Sequence, residues 1–437
     1  MIRFALSLAL AVMLALPARA AVDIQQVTSP GGVDAWLVES HEIPFVALEI
    51  RFRGGASLDA PDRRGAINLM TALLEEGAGD MDARAFARAR DGLAASFGFD
   101  VSSDALSVSA KMLTENRDQA VALLRQALVA PRFDPDAIER VRGQVVSGIR
   151  SDAKDPNAIA SQKFREMAFG THPYALPISG TEEQVAALTR DDLLAAQARV
   201  IARDRLYVSA VGDITAEELG GLLDTLFADL PPTGAPMPGP ADYTLGGGVT
   251  VVPFDTPQAV AVFGQRGMAR DDPDFFAAYV MNQVLGAGGF DSRLMDEVRA
   301  KRGLTYGVYS YLYPMDHAAL VMGQVASANA RIAEAIGVIR AEWLRMADEG
   351  VTEKELEAVK TYLTGAYPLR FDGNGPIARI MISMQMEGLG PDYIATRNDK
   401  IMAVTLEDVR RVAHELLTPE ALHFVVVGRP QGLETTN

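Results

Sequence analysis

The sequence predicts an α+β protein of two duplicated α/β sandwich domains, each a mostly antiparallel sheet with helices packed on it. Three observations predict it: an internal repeat, a stiff segment midway along the chain, and strand and helix periodicities mixed within each half. In the repeat, Ala187-Leu188-Thr189-Arg190-Asp191-Asp192-Leu193 resembles Ala403-Val404-Thr405-Leu406-Glu407-Asp408-Val409, every residue displaced by 216. The same displacement carries the run ending Val211-Gly212 onto the one ending Val427-Gly428. Upstream, Arg53-Gly54 followed by Asp59-Ala60-Pro61-Asp62 resembles Arg266-Gly267 followed by Asp271-Asp272-Pro273-Asp274. A register kept across a helix and a strand marks a duplication.

The seam lies at Pro231-Pro232-Thr233-Gly234-Ala235-Pro236-Met237-Pro238-Gly239-Pro240, which can continue neither helix nor ladder. The expected boundaries are a leader over 1–20, a first domain over 21–230, a linker over 231–245 and a second domain over 246–437. In the first half, strands are expected at 35–38 and 45–52, a helix at 66–76, and a strand at 102–112. Helices at 117–129 and 135–149 and a strand at 206–211 follow. The second half repeats the opening with strands at 249–254 and 259–264, and adds a helix at 353–364.

Composition narrows the function. With 49% hydrophobic residues the 437-residue chain is globular. Arg3, the apolar run Phe4 to Leu16 and Pro17-Ala18-Arg19-Ala20 read as a secretory leader cleaved near Ala20, too short to span a bilayer. There is no cysteine, which removes disulfides, a lipoprotein anchor and thiolate zinc ligation, and fits a periplasmic location. Loss of Arg3 and Arg19 takes the net charge from −16 to −18, which argues against nucleic acid or an anionic membrane as partner. No later segment is apolar and long enough to anchor the chain in a membrane.

Several short motifs recur in a fixed order: Gly-Ala-Ser-Leu-Asp at 55–59, Gly-Thr-His-Pro-Tyr at 170–174, and Gly180-Thr181-Glu182 running on to Leu188-Thr189. Leu285-Gly286-Ala287-Gly288-Gly289 and Val351-Thr352 leading to Glu355-Leu356 come later. In this order and spacing the chain, over about residues 25 to 430, resembles the pitrilysin/insulinase family of inverted-motif zinc metallopeptidases, which includes the mitochondrial processing peptidase. The resemblance implies the LuxS/MPP-like metallopeptidase fold. In that family a helix carries H-x-x-E-H, whose histidines bind zinc while the glutamate activates water, and a later glutamate completes the site. Here the matching positions hold Asn68, Thr71 and Ala72, and the later one falls at Gly148.

None of these four is a zinc ligand, so no metal is expected in this chain. Elsewhere, His41, His172, His317, His414 and His423 include no pair at i, i+4, no EF-hand pattern occurs, and Glu75-Glu76 read as a solvated face. The family's Arg and Tyr, seven residues apart, match Arg299 and Tyr306 in Val298-Arg299-Ala300-Lys301-Arg302-Gly303-Leu304-Thr305-Tyr306. The resemblance implies that this pair binds substrate and helps hold the tetrahedral intermediate, a task suited to a charged fork and a hydroxyl. Against it stands the plainer reading of a solvated helix end and a strand tyrosine, with Arg302 a competing charge. Gly286-Ala287-Gly288-Gly289 lacks the dinucleotide fingerprint and reads as a turn leading into the Arg299 helix.

Loss of the metal motif beside retention of Arg299 and Tyr306 points to a division of labour. The expected function is a non-catalytic, zinc-less subunit of a periplasmic heterodimeric zinc metallopeptidase. Its expected partners are a homologous subunit bearing H-x-x-E-H, with zinc there, and an unfolded peptide or oligopeptide substrate. The alternatives are a peptide-binding or architectural protein with no role in proteolysis, and an independent peptidase with an unusual metal site.

Overall fold

The computed structural model describes residues 22–436; the expected leader and its expected cleavage point near Ala20 lie outside the described residues. The first half supplies β1 (Gln25–Thr28), β2 (Asp34–Glu39), β3 (Phe45–Arg53), a two-rung hairpin of β4 (Gly77–Ala78) and β5 (Met81–Asp82), then β6 (Ser96–Val101), β7 (Ala105–Leu113) and β8 (Leu206–Gly212). The second supplies β9 (Gly248–Pro253), β10 (Gln258–Arg266), β11 (Val308–Pro314), β12 (Ala319–Ala328) and β13 (His423–Gly428). Apart from the hairpin these form two sheets, ordered β1-β2-β8-β3-β7-β6 and β11-β12-β10-β13-β9. Each is antiparallel except for one parallel pair, β2 with β8 and β9 with β13. The predicted fold class is the observed one.

The repeated sequence words build the same local devices. Thr189 and Thr405 each cap a helix, Arg190–Val200 and Leu406–Leu416, through reciprocal bonds with the aspartate three residues on, Asp192 and Asp408. Each helix leads into the strand that pairs parallel on one side and antiparallel on the other, β8 and β13.

Six helices matter below: α1 (Ala66–Ala72), α2 (Pro135–Asp152), α3 (Pro156–Phe169), α4 (Glu353–Ala366), α5 (Asn374–Met386) and α6 (Tyr393–Ala403). The helix expected at 66–76 stops at Ala72, because the chain turns through 73–76 into Gly77 at φ 112°, a conformation glycine tolerates. The strand expected from Ser102 starts at Ala105. Residues 102–104 are the turn of a β6–β7 hairpin, where Ser102 Oγ accepts from the Ala105 amide at 3.1 Å. β6 itself is an addition to the expected elements.

Between the helix Ala216–Phe227 and β9, residues 231–247 carry neither helix nor strand. They are pinned nonetheless: the Ala235 amide donates to Arg199 O at 2.9 Å and the Ala241 amide to His317 O at 2.8 Å. Although this segment separates the two sheets in sequence, two helices cross between the halves. From the first half, α3 buries Ala160, Phe164 and Ala168 against Val260, Val262, Val425 and Val427 of the second sheet. From the second half, α5 buries Ala378 and Met381 against Ala47 and Val211 of the first. Ser209 Oγ donates to Ala378 O at 2.7 Å, and the Gln385 side chain donates to Val208 O at 2.9 Å, so α5 is bonded to β8 as well as packed on it. Phe164, fully buried, alone contributes about 2–3 kcal/mol of apolar burial.

Candidate functional site

The four positions of the missing zinc motif sit on adjacent helices, three on α1 and Gly148 on α2, which packs against it. Asp59 holds the start of α1, its two oxygens accepting from the amides of Gly65 and Ile67 at 2.8 Å each. The helix is thus built and capped, but its donor set does not fit zinc. Thr71 is buried and spends its hydroxyl proton on Ile67 O at 2.7 Å. Ala72 presents a methyl group, and a Cβ placed on Gly148 would meet no atom within 4 Å. Only the Asn68 amide oxygen is left, a weak single ligand. Among the described residues no group of three or more His, Asp or Glu is placed to hold a metal ion.

Glu75 and Glu76 are half-buried ion-pair partners of Arg90 and Arg140, each at 2.7 Å, rather than a solvated face. The turn after α1 folds them back onto neighbouring helices. His172 caps the turn Pro173–Ala175, its Nδ1 accepting from the Tyr174 amide at 3.2 Å. His423 is buried between Thr250 and Gly246 O.

Arg299 and Tyr306 lie on one segment of the second half. Arg299 is in a π-helical turn, Met295–Ala300, and a second π-helical turn, Gln283–Ala287, precedes it across the Gly288–Asp291 bend. π turns are rare and recur at functional sites. In the Gln283–Ala287 turn the backbone approaches β11 closely at Gly286, where a Cβ would come within 2.3 Å of Ser310 Oγ. The anticipated turn is present; the helix it leads into has π rather than α geometry.

Charge around Arg299 is distributed selectively. Arg293 pairs with Glu355 at 2.7 Å, Lys301 with Glu297 at 2.6 Å, and Arg302 with Glu297 at 2.6 Å. Arg302, the competing cation, is therefore committed to its own helix. Arg299 has no carboxylate partner among the described residues and lies over the exposed Phe290 ring, 4.6 Å from its centroid. Tyr306 is 85% exposed just ahead of β11, so it does not pack as a strand residue. The chain just before it is held: Ser327 Oγ donates to Leu304 O at 2.5 Å, and Thr305 Oγ1 donates to Ala326 O at 2.7 Å. No hydrogen bond joins Arg299 to Tyr306. Both groups stay available to a third party, on a segment that is itself fixed.

Sequence reasoning missed the anchor of this segment. Arg293, 9% exposed, donates Nε and Nη2 to the two oxygens of Glu355 and Nη2 also to Gly350 O. Glu355 is meanwhile the third residue of α4, reciprocally bonded to its cap Thr352. The capping-box spacing Thr352-x-x-Glu355 was readable; the pairing with Arg293 had no local signal.

Comparison with known proteins places these features. A family profile described as "Insulinase (Peptidase family M16)" matches residues 35–182, and one described as "Peptidase M16 inactive domain" matches residues 187–363. "Non-peptidase homolog YmxG" of Helicobacter pylori is 27% identical over 408 residues, covering 93% of this chain and 94% of that protein. "Uncharacterized zinc protease SCO5738" of Streptomyces coelicolor is 25% identical, covering 90% and 87%. Among solved structures, a peptidase M16 inactive domain from Pseudomonas fluorescens superposes with a TM-score of 0.88 at 28% identity, covering 95% of this chain and all of that one. A protease from Helicobacter pylori superposes with a TM-score of 0.84 at 16% identity, covering 93% and 99%, which speaks for the fold alone.

Proposed function

The chain belongs to the insulinase family of peptidases, family M16, and on that premise we propose that it is the zinc-less subunit of a heterodimeric zinc metallopeptidase. In this reading a homologous subunit bearing H-x-x-E-H supplies the metal, and this chain completes that subunit's active site and binds the peptide substrate through Arg299 and Tyr306. The leader expected from the sequence of residues 1–20 supports a periplasmic location. One observation carries the reading: every other cation on the segment is paired, while Arg299 has no counter-ion among the described residues and Tyr306, on the same segment, is 85% exposed.

Its chemistry follows from the residue types. A scissile carbonyl gains negative charge as water adds, and donors already in place stabilise that charge without reorganising. A guanidinium cannot lose its proton and offers a fork, while the phenol adds a neutral O–H. Unpaired, each keeps its donor capacity for the substrate. The segment's tethers at Arg293, Leu304 and Thr305 supply the fixed geometry that such donors need.

The test is reconstitution with the H-x-x-E-H subunit. Arg299→Ala should lower kcat/KM by about 10²–10³ and Tyr306→Phe by about tenfold or more, with assembly by size-exclusion chromatography unchanged. Normal turnover in both variants defeats the assignment. The stacking of Arg299 over Phe290 favours a second reading, peptide capture or architecture with no role in proteolysis, because the chain then satisfies its own cation. Peptide binding by the isolated chain, with no H-x-x-E-H partner recovered from the source cell, would select it.

A further inference from the structure

The second half holds another pocket, which none of Arg299, Tyr306 or Phe290 lines. It encloses about 460 Å³ between the turn Tyr367–Arg370, α5 and α6. Two of its wall residues are left incomplete by their own chain. Arg397 is 5% exposed, yet no carboxylate pairs with it among the described residues. Its Nη1 donates to Leu363 O at 3.3 Å and to the Asn398 side-chain oxygen at 3.1 Å, and its guanidinium lies over the Tyr367 ring, 4.1 Å from the centroid. Tyr367 is 7% exposed, and its hydroxyl has no hydrogen-bond partner.

Both features are costly. A buried cation without a counter-ion and a buried hydroxyl without a partner each carry a desolvation penalty that a native fold normally removes. Acid is plentiful in a chain of net charge −16, and other arginines of this half take it: Arg293 has Glu355, Arg270 has Glu387 at 2.8 Å, and Arg411 has Asp274 at 2.6 Å. The rim adds Arg370 and Arg379, the latter leaning towards Glu49 at 3.9 Å. Glu387, the acid in the wall, is held by Arg270. The remaining wall is mostly apolar, with Ile380, Met384 and Leu389; its two other hydroxyls are already bonded, Ser383 Oγ to Arg379 O and Tyr393 to Arg270.

We propose that this pocket binds the C-terminal carboxylate of a peptide, with Arg397 as counter-ion, the Tyr367 hydroxyl as a second donor, and the Ile380–Met384–Leu389 wall receiving the terminal side chain. That the anion arrives on a peptide rests on the function proposed above; the need for an oxyanion rests on Arg397 and Tyr367 alone. A carboxylate suits the site better than a phosphate. One deeply buried guanidinium and one hydroxyl satisfy two oxygens, and a phosphate dianion would leave oxygens facing an apolar wall. Burial pushes the Tyr367 phenol up to about 12, so it remains a donor throughout the neutral range.

The experiment uses the full mature chain and a fluorescein-labelled decapeptide ending in leucine, made once as the free acid and once as the C-terminal amide. Anisotropy at low ionic strength should give the acid at least a tenfold lower Kd. Arg397→Gln should bring the acid to the level of the amide and leave the amide unchanged. Tyr367→Phe, which removes only an unpartnered hydroxyl and so should fold as the parent does, should weaken the acid by about threefold to tenfold. Equal Kd for acid and amide overturns the proposal, as does an acid Kd unmoved by Tyr367→Phe. Displacement of the acid by inorganic phosphate at concentrations where acetate has no effect overturns the carboxylate assignment. Discrimination of acid from amide that survives alongside normal turnover of the Arg299 and Tyr306 variants would remove the proposed active-site role and leave this pocket standing.

Discussion

Glutamine at position 355 would take one charge from the anchor of the Arg299 segment while keeping its shape. Glu355 accepts Arg293 Nε and Nη2 at 2.7 Å each, and its Oε2 also accepts the Thr352 amide and hydroxyl at 2.7 Å each. Desolvation alone would raise the Glu355 carboxyl; Arg293 and Thr352 outweigh it and hold the group at about 2 instead of 4.5. At about 1.4 kcal/mol per pH unit, that depression is worth about 3 kcal/mol. The folded pKa lies below the unfolded one, so the contribution is complete above about pH 4.5 and is lost as pH falls towards 2. Glu355→Gln should therefore cost about 2–4 kcal/mol at pH 7, since it also leaves the Arg293 guanidinium buried without its counter-ion. Urea unfolding followed by the fluorescence of Trp36 and Trp343 measures this, and the gap between variant and parent should shrink by more than half at pH 3. An equal gap at both pH values, or one below about 1 kcal/mol at pH 7, would refute the reasoning.

Asp59 should titrate in the opposite sense. Desolvation by burial pushes it up to about 6 from 3.8, against the bonds from Ile67 and Gly65, so its ionised form costs roughly 3 kcal/mol and stability falls as pH rises from 4 to 6. Asp59→Asn should flatten that part of the unfolding profile. Zinc binding should be recoverable: with α1 capped and open space at Gly148, the combination Asn68→His, Ala72→His, Gly148→Glu should bind about one zinc per chain in metal analysis, where the parent binds none. Gly286→Ala forces a Cβ to 2.3 Å from Ser310 Oγ and should destabilise by about 1–3 kcal/mol, while lowering turnover of the reconstituted complex by displacing the Arg299 turn.

What could be read in the sequence was whatever is encoded locally. The two capping boxes at Thr189 and Thr405, the strands that follow them and the proline-rich seam are short-range devices, and they revealed the duplication without any contact being known. Absence is local too, so the lost ligands at Asn68, Thr71, Ala72 and Gly148 were legible. β6 was missed although Phe97, Phe99 and Val101 alternate, because Gly98 and Asp100 weaken the strand signal on the exposed face. The end of α1 depended on Gly77 adopting positive φ, which a helical period through Glu76 does not announce. The π turn Gln283–Ala287 sets Gly286 close against Ser310 on β11, and the anchor at Arg293 comes from a residue 62 positions away. Neither leaves a pattern in its own neighbourhood. The same holds for Arg397 and Tyr367, which signal only once burial and missing partners are seen together.

The crossing of α3 and α5 also limits how this molecule can move. Each sheet has one face closed by a helix grown from the opposite half, so pulling the halves apart would strip Phe164 from one sheet and Met381 from the other and expose both to water. A hinge between the halves would have to give up both buried contacts at once.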